Sequence, residues 1–108
     1  MTVWQAAQEL KLRRLTGEQP DRELTGGYAG DLLSWVMGRA KGGDMWITIM
    51  TNENIVAVAS LADVACVVLA EGVEPDEKTV KKADEQGVAL YSTQLGTYET
   101  AAALSRLL

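Results

Sequence analysis

The sequence has no histidine and a single cysteine. Histidine is the commonest general base and metal ligand, so its absence removes Ser-His-Asp and Cys-His nucleophilic sites from this chain. Cys66 alone cannot form an intrachain disulfide, and one cysteine without histidine argues against a structural zinc site. No cofactor and no metal are expected. An Asp/Glu-only magnesium site is the one arrangement left open, and the acidic residues read mainly as helix starts and solvated faces, as in Glu74, Asp76 and Glu77 or Asp84 and Glu85. The P-loop pattern of two glycines five apart followed by Lys and Ser or Thr is missing. The ten basic residues are scattered, the densest run being Lys78, Lys81 and Lys82, and net charge is −5. Without a basic patch to displace counterions from phosphate, nucleic acid is not an expected partner. No apolar run reaches the roughly 20 residues of a membrane helix. Met1 to Ala6 lacks the basic-then-apolar pattern of a signal peptide. No membrane partner and a cytoplasmic location are therefore expected.

What is present is an ordinary globular composition, 47% hydrophobic and 23% charged over 108 residues, which implies one domain spanning 1–108. Val3–Leu12 reads as a short amphipathic helix, with a short strand entering over Lys11–Leu15. Arg22–Thr25 reads as an extended segment of open direction, and Gly26–Gly30 as a glycine-rich loop. Asp31–Lys41 carries Leu32, Leu33, Val36, Met37 and Ala40 on one helical stripe and stops at Gly42-Gly43. From there strands and helices alternate. Strands are expected at Met45–Met50, Ala65–Ala70 and Val88–Ser92, and helices at Glu53–Ala62, Asp76–Gln86 and Thr97–Leu107. That rhythm predicts parallel βαβ crossovers and a three-layer α/β/α domain with a mainly parallel central sheet. The unbroken apolar run around Cys66 fits a strand covered on both faces, which makes its thiol a reduced core group.

Two helices predict an interface. Asn54–Ala62 is apolar nearly all round, which a small core struggles to cover. Trp35 falls on a stripe with Asp31 and Arg39, away from its own apolar face. Trp35, Ile55, Val56 and Val58 are therefore candidate contacts of a homodimer. Two regions are candidates for a small polar ligand. Gly26–Gly30 precedes a helix whose free N–H groups could hold an anion, although Asp31 at that end could cap them instead. The residues after the strands, Thr51-Asn52, Glu71-Gly72 and Ser92-Thr93, lie where parallel sheets usually bind ligands, and equally where helix caps occur.

The segment from Asp21-Arg22 through Thr25-Gly26-Gly27-Tyr28-Ala29-Gly30-Asp31 to Ser34 resembles the signature of the DRTGG domain. Asn54 to Ala59, and Ser92-Thr93 followed by Tyr98 to Ala101, are similar to later blocks of that family. The resemblance implies a fold like the amino-terminal domain of HPr kinase/phosphatase. It also implies a non-catalytic module of regulatory or assembly character, found alone or within CBS-domain pyrophosphatases and some phosphotransacetylases, and able to form a dimer interface. It carries over no catalytic set. Only the signature positions Asp21, Arg22, Thr25, Gly26, Gly27, Gly30 and Asp31 transfer, as loop-shaping residues, with Tyr28 among them in the loop. Read chemically, Arg22 can bridge Asp21 or Asp31, and Thr25 can bond nearby backbone. The implied partners are a second copy, another protein or a small polar ligand.

Overall fold

The computed structural model describes residues 1–108. Its elements are α1 (Val3–Glu9), β1 (Arg13–Arg14), β2 (Gly26–Ala29), α2 (Leu33–Arg39), β3 (Asp44–Thr48), α3 (Asn54–Ala62), β4 (Cys66–Leu69), α4 (Glu77–Gln86), β5 (Leu90–Ser92) and α5 (Thr97–Leu107). The strands form one sheet in the order β1-β5-β4-β3-β2. Strands β2 to β5 are mutually parallel, and β1 runs antiparallel on the far edge, with Arg13 opposite Ser92 and Arg14 opposite Tyr91. The three strands expected from the alternation are present and parallel.

Strand alternation splits the core into two layers. Met45 and Ile47 of β3, Cys66 and Val68 of β4 and Tyr91 of β5 pack with Val3, Ala6 and Ala7 of α1 and Leu104 of α5. Trp46, Val67, Leu69 and Leu90 face the other way, onto Val36 of α2, Ile55 and Val56 of α3 and Ala83 of α4. Every residue of β3 and β4 is buried, as strands covered on both faces require. Local signals set the helix ends. Thr2 and Gln5 form a reciprocal capping box at α1, Asp76 accepts from Thr79 N at the start of α4, and Gly87 closes that helix at φ +70°. No helix is long and apolar enough to cross a membrane.

Three expectations are corrected. Gly26 to Ala29 is not loop but edge strand, paired with Asp44 to Ile47. The second helix begins at Leu33 and ends at Arg39, two residues inside the expected span at each end. Of its apolar stripe only Val36 is fully buried, while Leu32 and Met37 lie exposed. The third correction concerns α3. Ile55, Val56 and Val58 lie inside the chain's own core, because α2 and α4 flank α3 on the sheet. Its outer face is left to Ala57, Ser60 and Leu61.

Candidate functional site

The signature residues fall into two groups, and most of their contacts are structural. Thr25 N bonds Gly43 O, and its hydroxyl reaches toward Gly42 O at 3.4 Å. Gly26 and Gly27 are demanded by close approach, because a Cβ on Gly26 would meet Asp44 Oδ1 at 2.8 Å and one on Gly27 would meet Leu104 Cδ2 at 2.6 Å. Gly30 O accepts from the indole N–H of buried Trp46 at 2.9 Å, which satisfies the one polar atom of that side chain. Tyr28 packs over Gly30, its ring 3.0 Å from where a Cβ would stand.

Asp31 does not cap the following helix. Its Oδ1 accepts from Thr48 Oγ1 at 2.7 Å and from Ile49 N at 3.0 Å, tying the end of β2 to the end of β3. The N-cap position is Leu32, which offers no side-chain cap bond. Arg22 bridges neither Asp21 nor Asp31. It pairs with Asp63 at 3.2 Å and donates to Val64 O at 2.9 Å. Asp21 instead accepts from Trp4 N and Arg22 N. Burial works against the charged form of Asp21, but the Thr2 hydroxyl and these N–H donors outweigh it and hold the pKa below 3.8.

The strand-end residues are brought to one edge but are occupied by their own surroundings. Gly72 N bonds Thr93 O, and Thr93 N bonds Leu69 O. Ser92 Oγ accepts from Arg13 Nε, Thr51 O accepts from Thr79 Oγ1, and Asn52 Oδ1 accepts from Asn54 N. Glu71 sits at φ +64° and its carboxylate accepts from Thr97 N at 2.8 Å, filling the amino end of α5 with the chain's own anion.

A cavity of about 220 Å³ opens instead at the amino-terminal ends of β4 and β5. The floor is Val3, Ala65 and Ala89, and Trp4, Arg14 and Arg22 stand at its walls. Tyr91 also lines it. Of the candidates named from sequence only Arg22 lines it, because the other lining residues are spread from position 3 to position 91 and each is ordinary alone. A further signal is the adjacent pair Arg13-Arg14, of which Arg13 binds Glu74 through two bonds while Arg14 takes part in none of the chain's three ion pairs. Nearby Cys66 is 1% exposed, and burial pushes its thiol up to about 12, with Arg22 pulling weakly the other way. No three of the chain's Cys, Asp and Glu residues gather as a metal ligand set.

Trp35 is half-exposed, with the Arg39 guanidinium 4.1 Å from its ring centroid, a cation–π contact on the outer face of α2. A family model described as the DRTGG domain matches residues 28–107. The chain belongs to the DRTGG domain family. The match begins at Tyr28, so within the signature loop it takes in Tyr28, Gly30 and Asp31, while Asp21, Arg22, Thr25, Gly26 and Gly27 precede it. Among solved structures, this DRTGG chain is similar to the CBS and DRTGG domains of the regulatory region of Clostridium perfringens pyrophosphatase, complexed with the activator diadenosine tetraphosphate. The TM-score is 0.72 at 11% identity, covering 98% of this chain and 46% of that one. That likeness fixes the fold, and this DRTGG chain spans under half the length of the structure it matches. No curated protein matches it.

Proposed function

We propose that this DRTGG domain is a non-catalytic regulatory module that acts by pairing with a second copy of itself and by engaging a protein partner. One observation carries the reading. In the α2–α3 layer Leu32, Trp35, Met37 and Leu61 are exposed, between 42% and 74% each. Soluble monomers generally avoid concentrating large apolar groups in this way, and two-fold pairing covers such a patch with itself. Trp35 is its aromatic anchor, of a kind that typically contributes about 2 kcal/mol or more at an interface centre. The absence of histidine agrees with a domain that binds rather than turns over substrate. Sedimentation at micromolar concentration tests it. A dimer that Trp35→Ala weakens by about thirtyfold, with the far-UV spectrum unchanged, supports the reading, and a monomer mass for the unaltered chain refutes it.

A second reading, a small-ligand sensor, is favoured by the activator bound to the pyrophosphatase regulatory region. The Gly26–Asp31 segment and the strand ends were the expected places. The strand ends are largely bonded within the chain, whereas an open pocket lined by Gly26, Gly27 and Tyr28 together with Arg39 and Lys41 adjoins the glycine segment. A thermal-shift panel of nucleotides and other small anions tests sensing as such, since a ligand that binds only the folded state raises its melting temperature.

A further inference from the structure

The cavity beside β5 combines three features that nothing in the chain's own packing explains. Tyr91 is only 4% exposed, yet its hydroxyl forms no hydrogen bond within the chain. No fully buried side-chain polar atom lacks a partner, so that hydroxyl must reach accessible space, and Tyr91 lines the cavity. Burial first, and then Cys66, raise its pKa, with Arg14 pulling the other way. The phenol is therefore an O–H donor at neutral pH. Arg14 stands directly opposite Tyr91 in the β1–β5 register. It lines the same space and carries no ion pair, although adjacent Arg13 is fully engaged. The rest of the lining is mixed, with Val3, Trp4, Ala65 and Ala89 apolar or aromatic and Thr16, Gln19 and the already paired Arg22 polar or charged. Of the carboxylates bonded to rim residues, Asp21 accepts from Trp4 N and Asp84 from Gly17 N, and neither lines the cavity, although the Asp21 charge also helps to raise the Tyr91 pKa.

We propose that this cavity binds a small organic anion, with its charged group held between the Arg14 guanidinium and the Tyr91 hydroxyl and its planar body against Trp4 and the Val3–Ala65–Ala89 floor. The site rests on the sensor reading and moves it to the opposite end of the sheet from the expected crevice. A guanidinium and a phenol present N–H and O–H donors that suit a phosphate or carboxylate oxygen pair. A donor that reaches a cavity without a protein partner is free to be met there by water or by a ligand. At about 220 Å³, the space is below the roughly 300–1,000 Å³ of drug-sized sites. It therefore suits one anionic group on one ring rather than a dinucleotide.

The test is calorimetric titration of the full chain with phenyl phosphate and with inorganic phosphate. Phenyl phosphate should saturate, and inorganic phosphate should bind at least about tenfold more weakly for want of the apolar contact. Arg14→Gln should weaken phenyl phosphate by at least about tenfold and Tyr91→Phe by about three- to tenfold. Both variants should keep the parent's circular dichroism, because Arg14 is exposed and Tyr91→Phe preserves the ring. Equal affinity for the two probes overturns the role of the floor. Saturable binding that both variants retain overturns the site while leaving sensing intact. No saturation by about 10 mM phenyl phosphate overturns the site, and the thermal-shift panel then decides sensing separately.

Discussion

Gly43 offers the sharpest test of why the Thr25 region is built as it is. It is buried, lies at φ +87°, and is held on both sides. Its N–H bonds Asp63 O at 3.1 Å, and its carbonyl accepts from Thr25 N at 3.0 Å. The backbone therefore cannot rotate to relieve a side chain without breaking both bonds. An added Cβ would also collide with Thr25 Oγ1. Gly43→Ala incurs two costs. The left-handed conformation costs an L-residue about 1–2 kcal/mol, and crowding adds about 1–3 kcal/mol unless Thr25 turns away. A loss of roughly 2–5 kcal/mol is expected, a fall in Tm on the order of 10–20 °C for a domain of this size. Urea denaturation followed by tryptophan fluorescence should show a lower midpoint with unchanged slope. Thr25→Ala in the same chain removes the collision and leaves the conformational cost, so the double variant should recover to about 1–2 kcal/mol below the parent. A Gly43→Ala protein within about 0.5 kcal/mol of the parent, or a double variant no better than the single, would refute this account.

Asp31→Ala removes the clasp between β2 and β3 and should cost about 1–2 kcal/mol in denaturant titrations, since bonds to a charged acceptor are among the stronger ones. In acid, folding lowers the pKa of Asp76 through the Thr79 hydroxyl and N–H. It also lowers that of Asp21, where N–H and hydroxyl donors outweigh burial. Both groups thus contribute fully above the unfolded value of 3.8, and their contribution fades as pH falls through the lower folded values. An Asp21→Asn, Asp76→Asn double variant should show a shallower loss of stability below pH 4 in acid titrations, by at most the slope of two protons. Cys66 should resist Ellman's reagent in the native state and react stoichiometrically once about 6 M guanidinium unfolds the chain, so rapid native labelling would contradict its burial.

The elements that sequence reading found are those whose side chains state their own environment. The apolar runs at β3 and β4 admit only a strand covered on both faces. The amphipathic pattern from Val3 and the acidic start at Asp76 announce their helices. Strand β2 was hidden because Gly26 and Gly27 express no preference of their own. Their reason lies in Asp44 and Leu104, remote partners that only the folded sheet brings near. Asp31 looked like a helix cap because a carboxylate before an apolar run usually is one, and only the β2–β3 register hands it to Thr48 and Ile49 instead. The all-apolar α3 points from sequence to a partner chain, but the sheet with α2 and α4 already encloses Ile55, Val56 and Val58. The cavity at Tyr91 was illegible for another reason. It is made by the return of the first segment to the last strand, a relation that no local pattern encodes.

That return also sets an order of events. Strands β2 to β5 are each joined to the next through one helix, so their pairing closes only short stretches of chain. The contact between β1 and β5 joins Arg13 to Ser92, 79 positions apart. A closure that long is entropically dear and is naturally the last to form. Changes in α1 or β1 should then fall mainly on the unfolding rate and leave the folding rate nearly untouched. The cavity lies between this late-docking flap and the finished sheet, so it exists only once folding is complete, and an occupant there would act as a latch that slows the first step of coming apart.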